Sequence, residues 1–395
     1  MNTAIVNGRI ILSTGVLEGC CLLIQDGKIV DITSSRPPKR FHTIDASGCY
    51  VSPGFIDIHL HGGGGHDFMD GTIEAIEKAS IFHLQHGTTS MVPTTMSCPN
   101  EDLFVFFNSY RIAKKRLNDY GGPNLLGIHL EGPFFSTAQR GAQDSAYLRN
   151  PTPECYFPIL NAGGEDIVIV SAAPELPGAL ELGDELKKRG ILASIGHSDA
   201  EYSDVCSAVR HGYSHVTHLY SGMSGLHRVG PYRHLGVIES SYLIDELTVE
   251  IIADGIHLPV ELLKLITKCK QLDNISLITD SMRGAGLLAG QTVRLGSLTH
   301  GMNCSLLDNV AMMPDGGSFA GSVCTADRCI RTMYHQVGVS LPAAVDMMSR
   351  NPAKVLGISN RKGALAIGMD ADICIFDEEI NILKVFTGDG LVWEK

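Results

Sequence analysis

Between residues 51 and 355 the chain alternates short apolar runs with longer helix-compatible stretches, and few folds accommodate eight such alternations in a row. The runs are Phe55-Ile56-Asp57-Ile58, Ser90-Met91-Val92, Leu125-Leu126-Gly127-Ile128, residues 167–170, Leu192-Ala193-Ser194-Ile195, His215-Val216-Thr217, residues 249–252 and residues 275–278. A strand covered on both faces reads as a continuous apolar run, and parallel neighbours need a crossover that is usually a helix. The pattern predicts an α/β fold, a (β/α)8 TIM barrel. Barrels run to about 250 residues, so a chain of 395 leaves room for a smaller companion. Residues 1–50 read as strands and tight turns, with Ala4-Ile5-Val6 before Asn7-Gly8 and Cys21-Leu22-Leu23-Ile24 before Asp26-Gly27. Residues 356–395 repeat that style in Gly363-Ala364-Leu365, Ala371-Asp372-Ile373-Cys374-Ile375-Phe376 and Ile382-Leu383-Lys384-Val385-Phe386. The two ends are expected to pair as one discontinuous sheet domain, 1–50 plus 356–395, beside a barrel of 51–355.

Composition narrows the class of partner. Thirty-one basic and 43 acidic residues give a net charge of −12, which repels polyanions and argues against nucleic acid or an anionic membrane as partner. A small anion can still bind at a local basic pocket. The 11 cysteines are odd in number, include the adjacent pair Cys20-Cys21 and form no C-x-x-C. They read as reduced thiols of a cytoplasmic protein. No signal-peptide pattern opens the chain and no apolar run approaches the roughly 18 residues of a membrane helix, so neither targeting nor spanning is expected. Glycine is in excess, 43 of 395 residues against a usual share near 7%, which implies many tight loops.

Barrel active sites sit where strands end, and the polar residues there share a theme. His59 and His61 follow the first run on one face of the strand, because side chains alternate. His129 and Glu131 follow the third run, His197 the fifth, His218 the sixth and Asp280 the eighth. Singly, each such histidine reads as a hydrogen-bonded core residue. Converging, His59, His61, Glu131, His197, His218 and Asp280 are a ligand set for a divalent, borderline-soft cation such as Zn²⁺ or Fe²⁺. His129 is expected to support the ligands from behind. His66, His83 and His86 read as structural or surface residues. Gly62 to Gly65 lacks the Lys-Ser/Thr of a phosphate loop and reads as a mobile loop beside the metal.

The string Ser52-Pro53-Gly54-Phe55-Ile56-Asp57-Ile58-His59-Leu60-His61, with Asp280 after the last strand, resembles the amidohydrolase superfamily. More narrowly, His129-Leu130-Glu131-Gly132-Pro133, Gly196-His197-Ser198, Thr217-His218-Leu219, Ala253-Asp254-Gly255-Ile256-His257, Ile278-Thr279-Asp280-Ser281-Met282, Ala320-Gly321-Ser322 and Asn351-Pro352-Ala353-Lys354-Val355-Leu356-Gly357 resemble the N-acetylglucosamine-6-phosphate deacetylases. The resemblance implies a flanking β-sandwich from both termini and hydrolysis of the N-acetyl group of N-acetylglucosamine-6-phosphate to glucosamine-6-phosphate and acetate. It assigns Glu131, His197 and His218 to a principal metal ion and His59 and His61 to a second, hence one or two ions per subunit. Asp280 becomes the general base and then acid that activates water and protonates the leaving amine. Ala142, Gln143, Ser221, Gly222, Arg228, His257, Phe319, Ala320 and Gly321 become substrate-binding residues. Arg228 would reach a neighbouring site in a homodimer.

The departures bear on the sugar. Ser221-Gly222 stands where the family usually has Asn-Ala, Gln143 where it has His, and His227-Arg228-Val229-Gly230-Pro231 where it has His-Arg-Glu-Pro-Gly. A changed hydrogen-bonding set alters specificity strongly, so N-acetylgalactosamine-6-phosphate, or another acylated amine, is an alternative substrate. A silent scaffold is disfavoured because every ligand position is filled.

Overall fold

The computed structural model describes residues 2–388 and 390–395. Eight parallel strands form the centre: β1 (Phe55–Leu60), β2 (Thr88–Pro93), β3 (Ile128–Glu131), β4 (Ile167–Ala172), β5 (Leu192–Ile195), β6 (Tyr213–Val216), β7 (Thr248–Ile252) and β8 (Ile275–Ile278). β1 pairs with β2, and β3 to β8 pair in sequence order. Backbone hydrogen bonds join these runs, among them Thr95 N–H to the His129 carbonyl (3.0 Å), Asp280 N–H to the His59 carbonyl (2.9 Å) and His61 N–H to the Ser281 carbonyl (2.7 Å). The result is a TIM-like α/β architecture.

The outer helices form because their apolar positions recur at helical spacing. In Asn100–Asp119, Leu103, Phe106, Phe107, Tyr110, Ala113 and Leu117 are all buried, each large one contributing about 1.5–3 kcal/mol. The helix Ile73–Leu84 begins where the Thr72 hydroxyl accepts from the Ala75 N–H (3.1 Å).

Three local expectations shift. The run at 125–128 breaks into Asn124–Leu125 and then β3, which starts at Ile128. Gly127 lies between them, and a Cβ there would sit 2.4 Å from the Val168 side chain. Gly62 to Gly65 is a tied-down hairpin rather than a mobile loop: Gly62–Gly63 pairs with His66–Asp67, and the N–H groups of Gly62, Gly64 and Gly65 donate to Ser281, Ala285 and Arg283. Residues 363–365 form no strand. A four-stranded antiparallel sheet (Thr292–Leu295, Met302–Leu307, Val310–Met312, Phe319–Ser322), not anticipated from the sequence, is inserted after β8.

Strands from both ends of the chain meet in one six-stranded sheet, ordered Gly390–Glu394, Ile382–Thr387, Ile373–Phe376, Tyr50–Pro53, Arg9–Leu12, Gly15–Leu17. A second sheet, Lys28–Thr33, Cys21–Gln25, Asn2–Val6, His42–Asp45, shares with it an apolar cluster that includes Ile5, Leu22, Ile24, Val51, Ile373, Ile375 and Phe386. The Asp26-Gly27 turn has both residues left-handed (φ 50° and 75°), as a two-residue hairpin requires. The 11 cysteines are free thiols; Cys21, Cys98, Cys304, Cys324, Cys329 and Cys374 are buried and Cys269 is exposed. No helix among the described residues is long and apolar enough to cross a membrane.

Candidate metal centre

The ends of β1, β3, β5, β6 and β8 converge on one point. Glu131 Oε1 lies 3.1 Å from His197 Nε2 and 3.0 Å from His218 Nε2, and the two imidazole nitrogens are 3.2 Å apart. Three donor atoms in a near-equilateral triangle match the edge of a tetrahedron, about 3.3 Å, around an ion with bonds of about 2.0–2.1 Å. His197 Nδ1 donates to the Gln139 carbonyl (2.9 Å), which leaves the Nε2 lone pair facing that point. A second cluster adjoins it. His61 Nε2 is 3.2 Å from Asp280 Oδ1 and 3.4 Å from Glu131 Oε2, while His59 Nε2 is 3.6 Å from Asp280 Oδ1 and 3.6 Å from Glu131 Oε1. His59 Nε2 is fully buried and makes no hydrogen bond. An orphaned buried nitrogen aimed at two carboxylates fits a cation. This is a divalent metal site.

The backbone at the site is unusual. His197, His218 and Asp280 all have positive φ (49°, 25° and 47°), a region that non-glycine residues rarely enter and that clusters at functional sites. Each turns off its strand at its end, so the side chain swings over the barrel mouth.

Charge follows from burial opposed by neighbours. Burial pulls His59 down, but the carboxylates of Glu250 and Glu131 outweigh it and lift it to about 9. His61 is raised in the same sense against its own burial by Asp280 and Glu131. Burial pushes Asp280 up, but the hydrogen bond with His61 and the nearby imidazoles hold it below the usual carboxylate range. His129 is driven down to about 3 by burial and by His59; its ring lies 4.6 Å from that of His59, and its Nε2 is 2.7 Å from the Ser171 hydroxyl. It stands behind the ligands.

Glu250, on β7, escapes the sequence reading. Wholly buried, it places Oε2 2.9 Å from His59 Nδ1, accepts from the His218 N–H (3.2 Å) and sets Oε1 3.2 Å from His215 Nε2. One carboxylate thus orients a ligand side chain and a second ligand's backbone. The available signal was a lone charge inside the apolar run Val249-Glu250-Ile251-Ile252.

A cavity of about 310 Å³ opens above the centre. His61, Glu131, His197, His218 and Asp280 line it, with Ala142, Gln143, Ser221, Gly222, His257, Phe319 and Gly321. Met96, Gly141, Tyr220, Leu295 and Ser318 line it too and were not anticipated. His59 and Ala320 lie behind the wall, both buried. Gln143 is tethered: its Oε1 accepts from the Ser97 N–H (2.8 Å) and its Nε2 donates to Glu131 Oε2 (3.0 Å), so its amide braces a ligand. Asp254 receives the His257 and Ile256 N–H groups (2.8 Å each) and holds His257 Nδ1 at 2.7 Å. Gly222 (φ 55°) approaches so closely that a Cβ would fall 2.7 Å from His197 Nδ1. Arg228 lies outside the cavity, exposed on the hairpin His227–Val229/Tyr232–His234. His83 is structural, its Nε2 2.9 Å from the Gly62 carbonyl, and His86 pairs with Asp327 (3.3 Å).

The sequence profile of the amidohydrolase family matches residues 50–391. The N-acetylglucosamine-6-phosphate deacetylase of Bacillus subtilis is 34% identical over 379 residues, covering 95% of this chain and 93% of that protein. The N-acetylgalactosamine-6-phosphate deacetylase of Escherichia coli is 28% identical over 378 residues, 96% of each. The crystal structure of N-acetylglucosamine-6-phosphate deacetylase from Pasteurella multocida superposes with a TM-score of 0.91 at 27% identity over 100% of both chains. With its strand-end ligands and a profile match that spans most of its length, the chain belongs to the amidohydrolase family.

Proposed function

We propose that this protein is a metal-dependent deacetylase that hydrolyses N-acetylglucosamine-6-phosphate to glucosamine-6-phosphate and acetate. The observation that carries the reading is the near-equilateral triangle of Glu131, His197 and His218 donors, with Asp280 beside it at the floor of a cavity. Glu131, His197 and His218 would hold the principal ion and His59, His61 and Asp280 a second; Zn²⁺ and Fe²⁺ both suit these donors. A divalent cation supplies a Lewis acid and brings the pKa of a bound water from about 15.7 toward 7. Asp280, kept ionised by His61, takes the proton of the attacking water and returns it to the departing amine nitrogen as the C–N bond breaks. Gln143 and Gln139 hold Glu131 and His197 in position, and His257, fixed by Asp254, faces the sugar.

Arg228, solvent-exposed on a projecting hairpin, suits a residue that serves the phosphate of a neighbouring subunit in a homodimer. The two terminal sheets around one apolar cluster support a β-sandwich domain of 1–50 plus 356–395 beside a closed barrel of 51–355, in a cytoplasmic enzyme. Ser221 and Gly222, which line the cavity where the family usually has Asn-Ala, and the relative named N-acetylgalactosamine-6-phosphate deacetylase support N-acetylgalactosamine-6-phosphate as the second reading. Acetate release from the 6-phosphates and free forms of both N-acetylhexosamines tests the assignment; no release from any of the four refutes it.

Two results are expected. Arg228→Ala raises KM for the phosphorylated sugar about 10–100-fold, the value of a lost charge-assisted hydrogen bond of about 1.5–3 kcal/mol, and leaves KM for the free sugar unchanged; initial-rate kinetics with both checks it. Metal uptake by stripped protein also depends on pH. Because His59 and His61 carry protons below their raised pKa values, those protons must leave before the nitrogens ligate. Affinity therefore rises with pH, levelling for His59 above about 9. Calorimetric titration in buffers of different ionisation enthalpy checks the proton release.

A further inference from the structure

A second ligand cluster lies on the hairpin that carries Arg228. His227 and His234 sit directly opposite each other in the antiparallel register of His227–Val229 and Tyr232–His234, with their rings stacked 5.5 Å apart. Glu201, which precedes the helix Tyr202–Arg210, presents its two oxygens to this pair: Oε2 is 3.1 Å from His234 Nδ1 and Oε1 is 3.6 Å from His227 Nε2. All three donors fall within 4.8 Å of one another. The shorter contact, between Oε2 and His234 Nδ1, is close to the edge of about 3.3 Å expected between ligands of a tetrahedral Zn²⁺ with bonds of about 2.0–2.1 Å.

The hydrogen bonding around the cluster points the same way. His227 Nδ1 lies 3.2 Å from the Gly225 carbonyl, and only a donor satisfies a carbonyl oxygen, so Nδ1 is engaged there and Nε2 is the nitrogen left facing Glu201. Nε2 lies 3.6 Å from Glu201 Oε1, near enough for both to reach one ion. Metal-binding histidines are set up in this way, one ring nitrogen held by a carbonyl and the other aimed at the ion. Glu201 is fixed in turn: its N–H donates to Asp204 (3.0 Å), and the next N–H, of Tyr202, donates to the Leu235 carbonyl at the foot of the hairpin (3.0 Å).

We infer that Glu201, His227 and His234 form a divalent transition-metal site, separate from the barrel centre, with Zn²⁺ as the favoured ion. Two imidazoles and one carboxylate leave the fourth position to water, and the donor set suits Zn²⁺ rather than Mg²⁺ or Ca²⁺, which prefer oxygen ligands. The ion clamps both strands of the hairpin to the start of the helix Tyr202–Arg210 and so fixes Arg228, the residue next to His227. The site is independent of the deacetylase reading.

Equilibrium dialysis of the metal-loaded protein against Zn²⁺, with bound metal counted by plasma mass spectrometry, tests it in wild type, His234→Ala and Glu201→Gln. Each variant is expected to hold one equivalent fewer per chain and to keep the equivalents of the barrel centre. Retention of the full count in either variant overturns the proposal. As a second readout, the Co²⁺ absorption of wild type minus that of His234→Ala should show the visible bands of four-coordinate nitrogen and oxygen ligation; a featureless difference also overturns it.

Discussion

Asp280→Asn is expected to lower kcat for acetate release by about 10²–10⁴-fold, the range for losing a positioned proton carrier, with KM nearly unchanged. Asparagine keeps the size of the side chain, and the strand end is held by main-chain bonds to which the side chain does not contribute, the Asp280 N–H to the His59 carbonyl and the Ser322 N–H to the Asp280 carbonyl (2.7 Å). The loop should therefore stay in place. An amide cannot take a proton from water at neutral pH, so the loss should fall on turnover, the signature of an interaction made in the transition state. Initial rates, with metal content measured on the same preparation, decide it. A variant that retains kcat within about tenfold while holding its metal would remove Asp280 from proton transfer.

Glu250→Ala is expected to destabilise the protein by about 3–5 kcal/mol, as when one member of a buried charged pair is removed. Burial pushes Glu250 up, yet His59 and the hydrogen bond with His215 hold it well below the usual range, so it sits in the core as a carboxylate. Its removal strands His59 Nδ1 and His215 Nε2 and frees the His218 N–H. Glu250→Gln should recover most of the stability, because His215 can switch tautomer against the Thr248 hydroxyl (2.6 Å) and accept from the new amide. Urea denaturation of the three proteins separates shape from charge, and metal analysis should show the alanine variant depleted at the His59 side. An alanine variant as stable as wild type would mean that Glu250 does not organise the ligands.

Much of this arrangement was legible because a barrel converts strand order into spatial order. Once eight apolar runs were placed, the polar residues at their ends were expected near the mouth, and the structure brings His59, His61, Glu131, His197, His218 and Asp280 together there, while His129, equally close to a run, lies behind them. Glu250 was hidden for the complementary reason: it lies inside a strand and acts from behind, where the run around it spoke only of core. Gln143 was expected to meet substrate and does line the cavity, but the bonds of its amide to Ser97 and Glu131 are tertiary contacts that no local pattern announces. The sheet after β8 was missed because its strands are short and half-exposed, with Met302–Leu307 alternating between the two environments. The glycine run at 62–65 looked mobile on composition alone, and long-range main-chain bonds to residues 281–285 tie it down.

The ring of strands is joined where the Asp280 N–H meets the His59 carbonyl, so the first and last members of the ligand set are brought together by the final stitch of the barrel. A fragment that lacks either end of the strand sequence lacks part of the ligand set, and the contact that joins His59 to Asp280 is long in range, the kind that slows folding. Metal capture would then report completion of the fold. An ion that binds only the finished ring draws the folding equilibrium toward it, which couples the supply of cation to the yield of folded protein as well as to its chemistry.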